Sequence, residues 1–271
     1  MRISSKLLTG GLVLVFAGIA ITSTILWQQA SSKSSEALTE AAEERLTLTR
    51  RSLARELTAT RKRIEAQVRI MSQSSATREA LADFSAEFAN YREMSDSEAR
   101  PLAEYYNNEF MERYEESNPG TRFSASSIFS EISDTARAMQ MDYIANNPAP
   151  LGSKDEMSSS DKNTFYDLAH ESWHSNFRDF QKEFGYYDVF LVDAETDAIV
   201  YSVFKEVDFG TSLSSGPFSD SGIAKAYRRA MNSNKADAAP LTDFADYTPS
   251  YEAPASFIGS PIRVDGETAG V

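Results

Sequence analysis

Cysteine is absent from this sequence of 271 residues, so disulfide scaffolds, thiolate zinc sites, iron–sulfur clusters and cysteine nucleophiles are excluded. Basic residues are few: 27 Lys and Arg stand against 40 Asp and Glu, which gives a net charge of −13. A surface with this charge repels phosphate backbones, which argues against nucleic-acid binding. A Walker loop, a dinucleotide-binding fingerprint and a Gly-x-Ser-x-Gly elbow are also missing. What is present, 41% apolar and 25% charged residues, is the composition of a globular protein.

Charge is also missing from one long run near the start of the sequence. Residues 7–27 carry no charge, and a helix of that length spans about 30 Å, the thickness of a hydrocarbon core. A cleaved signal peptide is the alternative, but its apolar stretch is shorter, about 7–15 residues. We therefore predict a single transmembrane helix over 7–27. Arg2 and Lys6 then place residues 1–6 in the cytoplasm, and the chain from residue 28 onward on the periplasmic or extracellular side of a cell inner membrane.

Proline and glycine are absent from residues 34–88, where apolar residues recur at a helical period. This pattern predicts one long amphipathic helix. A helix of that length needs a partner, which is either the later helices of the same chain or a parallel copy in a homodimer. We expect both.

Three more helices are predicted before the runs of β-branched and aromatic residues begin. One begins at Pro101, the next carries an apolar stripe over 128–144, and the last covers 161–184 with Gly185 at its C-terminal end. We assign residues 28–160 to a helical stalk or bundle. The predicted apolar stripe of the last helix is Phe165, Leu168, Trp173, Phe177, Phe180 and Phe184.

Residues 161–271 combine that last helix with strands. β-branched and aromatic runs bounded by polar turns are typical of antiparallel hairpins. The predicted elements are strands over 187–193 and 199–204, a helix over 220–232, strands over 241–247 and 255–264, and a strand over 268–271 after the Asp265-Gly266 turn. The sequence ends within that last strand, so we expect it to be a fragment of a longer protein.

Several runs in this part carry a family resemblance. They are Tyr187-Asp-Val-Phe-Leu-Val-Asp193, Ile199-Val-Tyr-Ser-Val-Phe-Lys-Glu206, Asp208-Phe-Gly-Thr211, Gly216-Pro-Phe218, Ser256-Phe-Ile-Gly-Ser-Pro-Ile262 and Asp265-Gly-Glu-Thr-Ala-Gly-Val271. In these runs and their order, the chain resembles the PAS-like extracytoplasmic sensor module of the Cache type. Such modules form the N-terminal sensory region of bacterial methyl-accepting chemotaxis proteins.

The resemblance implies an α+β fold, in which a long membrane-anchored N-terminal helix and a helical bundle pack with a PAS-like antiparallel sheet module. It also implies a chemoreceptor that converts binding of a small solute into a helix displacement across the membrane, without catalysis in this region and without a cofactor. A downstream cytoplasmic signalling module would follow. The same input region occurs in some membrane cyclases and histidine kinases, so those outputs stay open. A module that senses a periplasmic binding protein instead of a solute is a further alternative.

Candidate ligand-binding residues lie on the predicted strands and the loop that covers them. Aromatic side chains would give contact area, Lys205 would hold a ligand carboxylate, and Asp243 or Asp246 would hold an ammonium group. The full set is Tyr187, Tyr201, Phe204, Lys205, Phe209, Asp243, Asp246, Tyr247 and Tyr251.

The only two histidines form the pattern His170-Glu171-x-x-His174. On a helix this spacing puts both imidazoles on one face, as in zinc metalloproteases. A third histidine is missing from the sequence, so a third ligand would have to be a carboxylate such as Glu195 or Glu206. A hydrogen-bonded structural role is the leading interpretation. The weaker alternatives are a non-catalytic metal site or pH sensor at His170 and His174, and a zinc metalloprotease in which Glu171 polarises the metal-bound water.

Overall fold

The computed structural model describes residues 2–271, with side chains from residue 7 onward. The chain divides into two compact units, Met1–Arg63 and Ile64–Val271. Helix α1 covers Arg2–Ser72 and therefore supplies the described part of the first unit and the first turns of the second.

The predicted long apolar N-terminal helix is confirmed. An 18-residue window of α1 has a mean hydropathy of 2.0, and none of that window is buried within the protein. Length and composition therefore meet the requirement for a membrane span, a requirement that N-terminal signal sequences also meet.

The prediction of one uninterrupted helix over 34–88 is wrong. Helix α1 ends at Ser72, and α2 covers Ser75–Ala89. Ser74 between them caps α2, because its side-chain oxygen accepts a hydrogen bond of 3.0 Å from the backbone N–H of Thr77. A helix can thus be interrupted without proline or glycine when a serine satisfies the free N–H groups of the next helix.

The middle of the second unit is helical, as predicted. Helix α3 (Arg100–Tyr105) runs through a π-helical turn into α4 (Met111–Ser117). The stripe predicted over 128–144 is divided into α5 (Ala125–Glu131) and α6 (Asp134–Gln140), and α6 continues into a second π-helical turn, Met141–Ala145.

Helix α7 covers Phe165–Phe184 and begins four residues later than predicted. Thr164 and Asp167 form a capping box at its start, and Gly185 ends it with a left-handed φ of 70°, as predicted. The predicted apolar stripe is confirmed in part: Phe177 is buried and Trp173 and Phe180 are half-buried, but Phe165, Leu168 and Phe184 are exposed. Besides Phe177, the buried face carries Tyr166, Asp167, Ala169, His170, His174 and Gln181.

Strands are short and antiparallel. They form three pairs: β1 (Phe190–Val192) with β2 (Ile199–Ser202), β3 (Ala245–Tyr247) with β4 (Ala253–Ala255), and β5 (Ile262–Val264) with β6 (Glu267–Gly270). Helix α8 (Gly222–Met231) lies between β2 and β3 in the sequence. The strand predicted over 255–264 is therefore two separate strands; Pro261, which has no N–H to donate, directly precedes the second.

Hydrogen bonds join the first pair to the third. Val192 and Val271 exchange backbone bonds of 2.9 and 3.0 Å, and the N–H of Ala194 donates to the carbonyl of Ala269. Strand β1 is therefore hydrogen-bonded on both edges, to β2 on one side and to the end of the chain on the other. The mixed α and antiparallel β character of the prediction is confirmed, and its Cache-like identity stays a prediction.

Candidate functional site

The described second unit contains two neighbouring cavities beside the strands. The first, here called the apolar cavity, has a volume of about 480 Å³. The final turns of α1, helices α7 and α8, and segments 185–192 and 253–260 enclose it. Its apolar side chains include Val68, Met71, Phe180, Phe190, Ile223 and Phe257.

Among the described side chains, the acidic or basic ones that line the apolar cavity are two carboxylates, Asp188 and Glu206. The carboxylate of Asp188 accepts bonds from the backbone N–H groups of Val189, Val203 and Phe204 and from the Ser202 hydroxyl. It therefore organises the end of the β1–β2 hairpin. Burial, together with the charge of Asp208, raises the pKa of Asp188 to about 7.

Glu206 forms part of the wall between the two cavities. One carboxylate oxygen accepts a hydrogen bond of 2.6 Å from the Tyr187 hydroxyl, and the other accepts one of 2.8 Å from the Ser250 hydroxyl. Burial and the neighbouring Asp208 raise the pKa of Glu206 to about 8. Asp208 accepts a bond from the Tyr247 hydroxyl, and burial raises its pKa to about 6. This group of carboxyls is therefore partly protonated near neutral pH.

The second cavity, here called the lysine cavity, has a volume of about 570 Å³. Lys205 is buried there; its ammonium group donates to the carbonyl of Val203 at 3.0 Å, and burial lowers its pKa to about 7. Lys154 also lines it, but its ammonium already donates to the carbonyl of Ile144 at 2.9 Å. The remaining lining residues include Tyr105, Phe110, Arg113, Tyr187, Phe204, Glu206 and Tyr251.

The structure brings five of the nine predicted ligand residues to the cavities. Tyr187, Phe204, Lys205 and Tyr251 line the lysine cavity, and Tyr187 and Tyr247 line the apolar cavity. The other four line neither. Tyr201 and Phe209 belong to the closed core, and Asp243 and Asp246 are exposed.

The histidine pair is buried among backbone acceptors. His170 Nδ1 lies 2.6 Å from the carbonyl of Ser158, and because a carbonyl only accepts, Nδ1 carries the proton. His174 donates from Nε2 to the carbonyl of Asp155 and accepts at Nδ1 from the Tyr201 hydroxyl. Burial, reinforced by the charge of Lys205, lowers the pKa of both imidazoles, that of His174 to about 3.

This arrangement leaves one free nitrogen for a metal ion. His170 Nε2 is buried without a hydrogen-bond partner in the part of the chain that the structure describes. Both nitrogens of His174 are occupied, so coordination there would break a hydrogen bond, and Glu171 is exposed. Within residues 2–271, no group of three His, Asp or Glu side chains is placed to hold a metal ion.

Asp188 was not predicted as a site residue, and Glu206 was considered only as a possible third metal ligand, with Glu195 as the other choice. The available signal was an acid next to strand-like apolar runs, in Tyr187-Asp188-Val189 and in Phe204-Lys205-Glu206-Val207. A charged side chain in such a run needs a buried partner or a function. Sequence patterns alone do not show that these two runs meet.

Comparison with known proteins identifies no relative. No family model, no curated protein and no solved structure matches the chain.

Proposed function

We propose that the chain is the extracytoplasmic sensory part of a bacterial transmembrane chemoreceptor of the methyl-accepting type, and that a small solute binds in the apolar cavity. The observation that carries the proposal is the cavity itself, which has an apolar lining and two carboxylates at one place in it. Concave apolar cavities with a few polar groups are the usual form of small-molecule sites.

The cavity supplies a route from binding to signalling. Val68, Met71 and Ser72 of α1 line it, so an occupant contacts that helix directly. A solute that fits one packing of these turns better than another shifts the populations of the two packings. Helix shifts of about 1–2 Å are a common form of such transitions. In the proposal, α1 is also the membrane anchor, with its N-terminus in the cytoplasm and the Ile64–Val271 unit in the periplasm.

The type of signalling module that would follow this sensory part is inferred only from the family resemblance. A chemotaxis signalling module is the first candidate, and a membrane cyclase or a histidine kinase is the alternative. All three use the same input, so the ligand site is tested independently of the output.

A thermal-shift screen of the full chain in detergent tests the ligand site. Organic acids, amines and amino acids are the panel, and we expect at least one solute to raise Tm by more than about 2 °C. Ala255→Leu places a larger side chain in the cavity lining and is expected to abolish the shift. Ala245→Leu, on the paired strand and outside the cavity lining, is the matched control. A panel that gives no shift would overturn the proposal.

A further inference from the structure

We infer that the solute of the apolar cavity is an organic amine, whose apolar body fills the cavity and whose ammonium group lies against Glu206 and Asp188. This inference rests on the proposed function and narrows it to one class of ligand.

The lining disfavours anionic ligands, because it offers them no cation. Its two acidic groups are Asp188 and Glu206, and among the residues that the structure describes no Lys, Arg or His side chain lines this cavity. An organic acid bound there would be removed from water without a cation to pair with, which is strongly unfavourable. The expected pairing of a ligand carboxylate with Lys205 does not apply here, because Lys205 lines the other cavity.

Glu206 has free capacity to accept a cationic donor. Each of its oxygens accepts one hydroxyl, from Tyr187 or Ser250, and a carboxylate oxygen has two lone pairs. The rings of Tyr187 and Tyr247 line the same cavity, and Tyr247 packs edge-on against Phe257 at 4.8 Å. Aromatic faces next to a carboxylate favour organic ammonium groups.

The carboxyls of Asp188, Glu206 and Asp208 lie together, and burial and their mutual repulsion raise their pKa values. The cations near them, Lys205, Lys154 and Arg113, line the lysine cavity and not the apolar cavity. An ammonium group bound in the apolar cavity favours the ionised carboxylates, so binding of an amine releases protons.

Three probes with similar bodies and different charges test the inference on the full chain in detergent. They are 2-phenylethylamine, 2-phenylethanol and 3-phenylpropanoate, titrated calorimetrically. We expect the amine to bind about tenfold more tightly than the alcohol, and the acid to bind most weakly, because only the amine makes a charge-assisted bond to Glu206.

Glu206→Gln keeps the shape of the side chain and removes its charge. We expect this variant to lose about tenfold in affinity for the amine and to keep its affinity for the alcohol. Glu252→Gln is the matched control, because Glu252 also accepts bonds from a tyrosine and a hydroxyl side chain, Tyr114 and Thr248, but lies outside the cavity lining. Equal binding of the amine by wild type and Glu206→Gln would place the ammonium group elsewhere and overturn the inference.

A pH series on the wild type tests the same point without a variant. Amine affinity is expected to rise between about pH 6 and 8, as the carboxyls ionise, while alcohol affinity stays constant. The titratable groups that interact with Glu206 are Tyr105, Tyr187, Asp188, Asp208, Tyr247 and Tyr251, and the charged groups Lys205, Lys154 and Arg113 line the lysine cavity with it. If the alcohol or the acid binds at least as tightly as the amine, the amine inference is wrong and the cavity remains a solute site. If neither these probes nor the wider panel binds, the proposed function itself is wrong.

Discussion

Asp167 shows what a single buried carboxylate does in this fold. One of its oxygens accepts bonds from the Tyr143 hydroxyl and from the N–H and hydroxyl of Ser160. The other accepts bonds from the N–H and hydroxyl of Thr164. Burial alone would raise the pKa of Asp167, but these hydrogen bonds outweigh it and lower the pKa to about 2. The residue thus fixes both the loop before α7 and the first turn of that helix.

Replacement of Asp167 by Asn removes the charge that these donors stabilise. We expect Asp167→Asn to lower the free energy of unfolding by about 2–3 kcal/mol at pH 7, measured by urea denaturation. Because the folded pKa is below the unfolded value, this difference is present above about pH 4 and is lost as the pH falls toward 2. Asp179→Asn, on an exposed residue of the same helix, is the control and should change little. An equal effect of both substitutions would contradict this account.

His174 gives the opposite chemical case, a base kept neutral by burial. Its folded pKa of about 3 is below the unfolded value of about 6.5, so the unfolded chain binds a proton first as the pH falls. The imidazole therefore contributes less stability below pH 6.5 than above it. We expect the stability cost of His174→Gln to be largest at neutral pH. It should shrink by up to about 1.4 kcal/mol per pH unit between pH 6.5 and 4, measured by urea denaturation at each pH. A cost that does not vary with pH would show that the imidazole has the same pKa in the folded and the unfolded chain.

At the scale of elements, the helix end at Gly185 depends on backbone conformation alone. Its φ is 70°, and a Cβ there would meet nothing within 4 Å. We expect Gly185→Ala to lower stability by about 1–2 kcal/mol because of the left-handed backbone. Gly185→Asn should lose less, since asparagine tolerates this conformation. Thermal unfolding of the two variants measures the difference, and an alanine variant as stable as wild type would contradict the observed helix end.

Substitution of Gly270 tests the close contact between β6 and β1. A Cβ at this position would lie 2.4 Å from the carbonyl oxygen of Val192 and 2.8 Å from Leu81 Cδ2. Gly270→Ala should therefore separate β6 from β1 and cost about 1–3 kcal/mol, as overpacking does. Faster hydrogen exchange at the N–H of Val192 and Val271 is the specific measurement. Gly10→Ala, in open surroundings within α1, is the control.

Periodicity and turn residues predicted some elements from the sequence. Features that depend on contacts between distant parts of the chain were not predicted. The body of α7, its glycine end and the β1–β2 hairpin followed from periodicity and turn residues. The buried face of α7 did not, because histidine, aspartate and glutamine there are satisfied by partners far away in the sequence, such as Tyr201. The cavity wall was missed for the same reason: Tyr187, Glu206 and Ser250 meet only after folding. Charge and aromatic content near 187–206 pointed to the right segment, but not to the acids that line the cavity.

At the scale of the whole molecule, the leucines of α1 are exposed in the part of the chain that the structure describes. Leu53 and Leu57 are 54% and 71% exposed, and an isolated helix depends on packing for most of its stability. We expect the full chain to be a homodimer in detergent through this face. The double variant Leu53→Glu and Leu57→Glu should be a monomer by light scattering. Arg55→Glu, about 200° around the helix from both leucines, is the control and should remain dimeric. A monomeric wild type would contradict this prediction.

Strand β1 can be fully paired only late in synthesis of the chain. Its second edge is paired by residues near the end of the chain, roughly 75 positions after β1 itself. A ribosome adding about 5–20 residues per second needs several seconds to reach them. Throughout that interval the nascent polypeptide has an open strand edge, which is a template for pairing with other chains. Chaperones would have to shield this edge until Ala269 and Val271 have been synthesised.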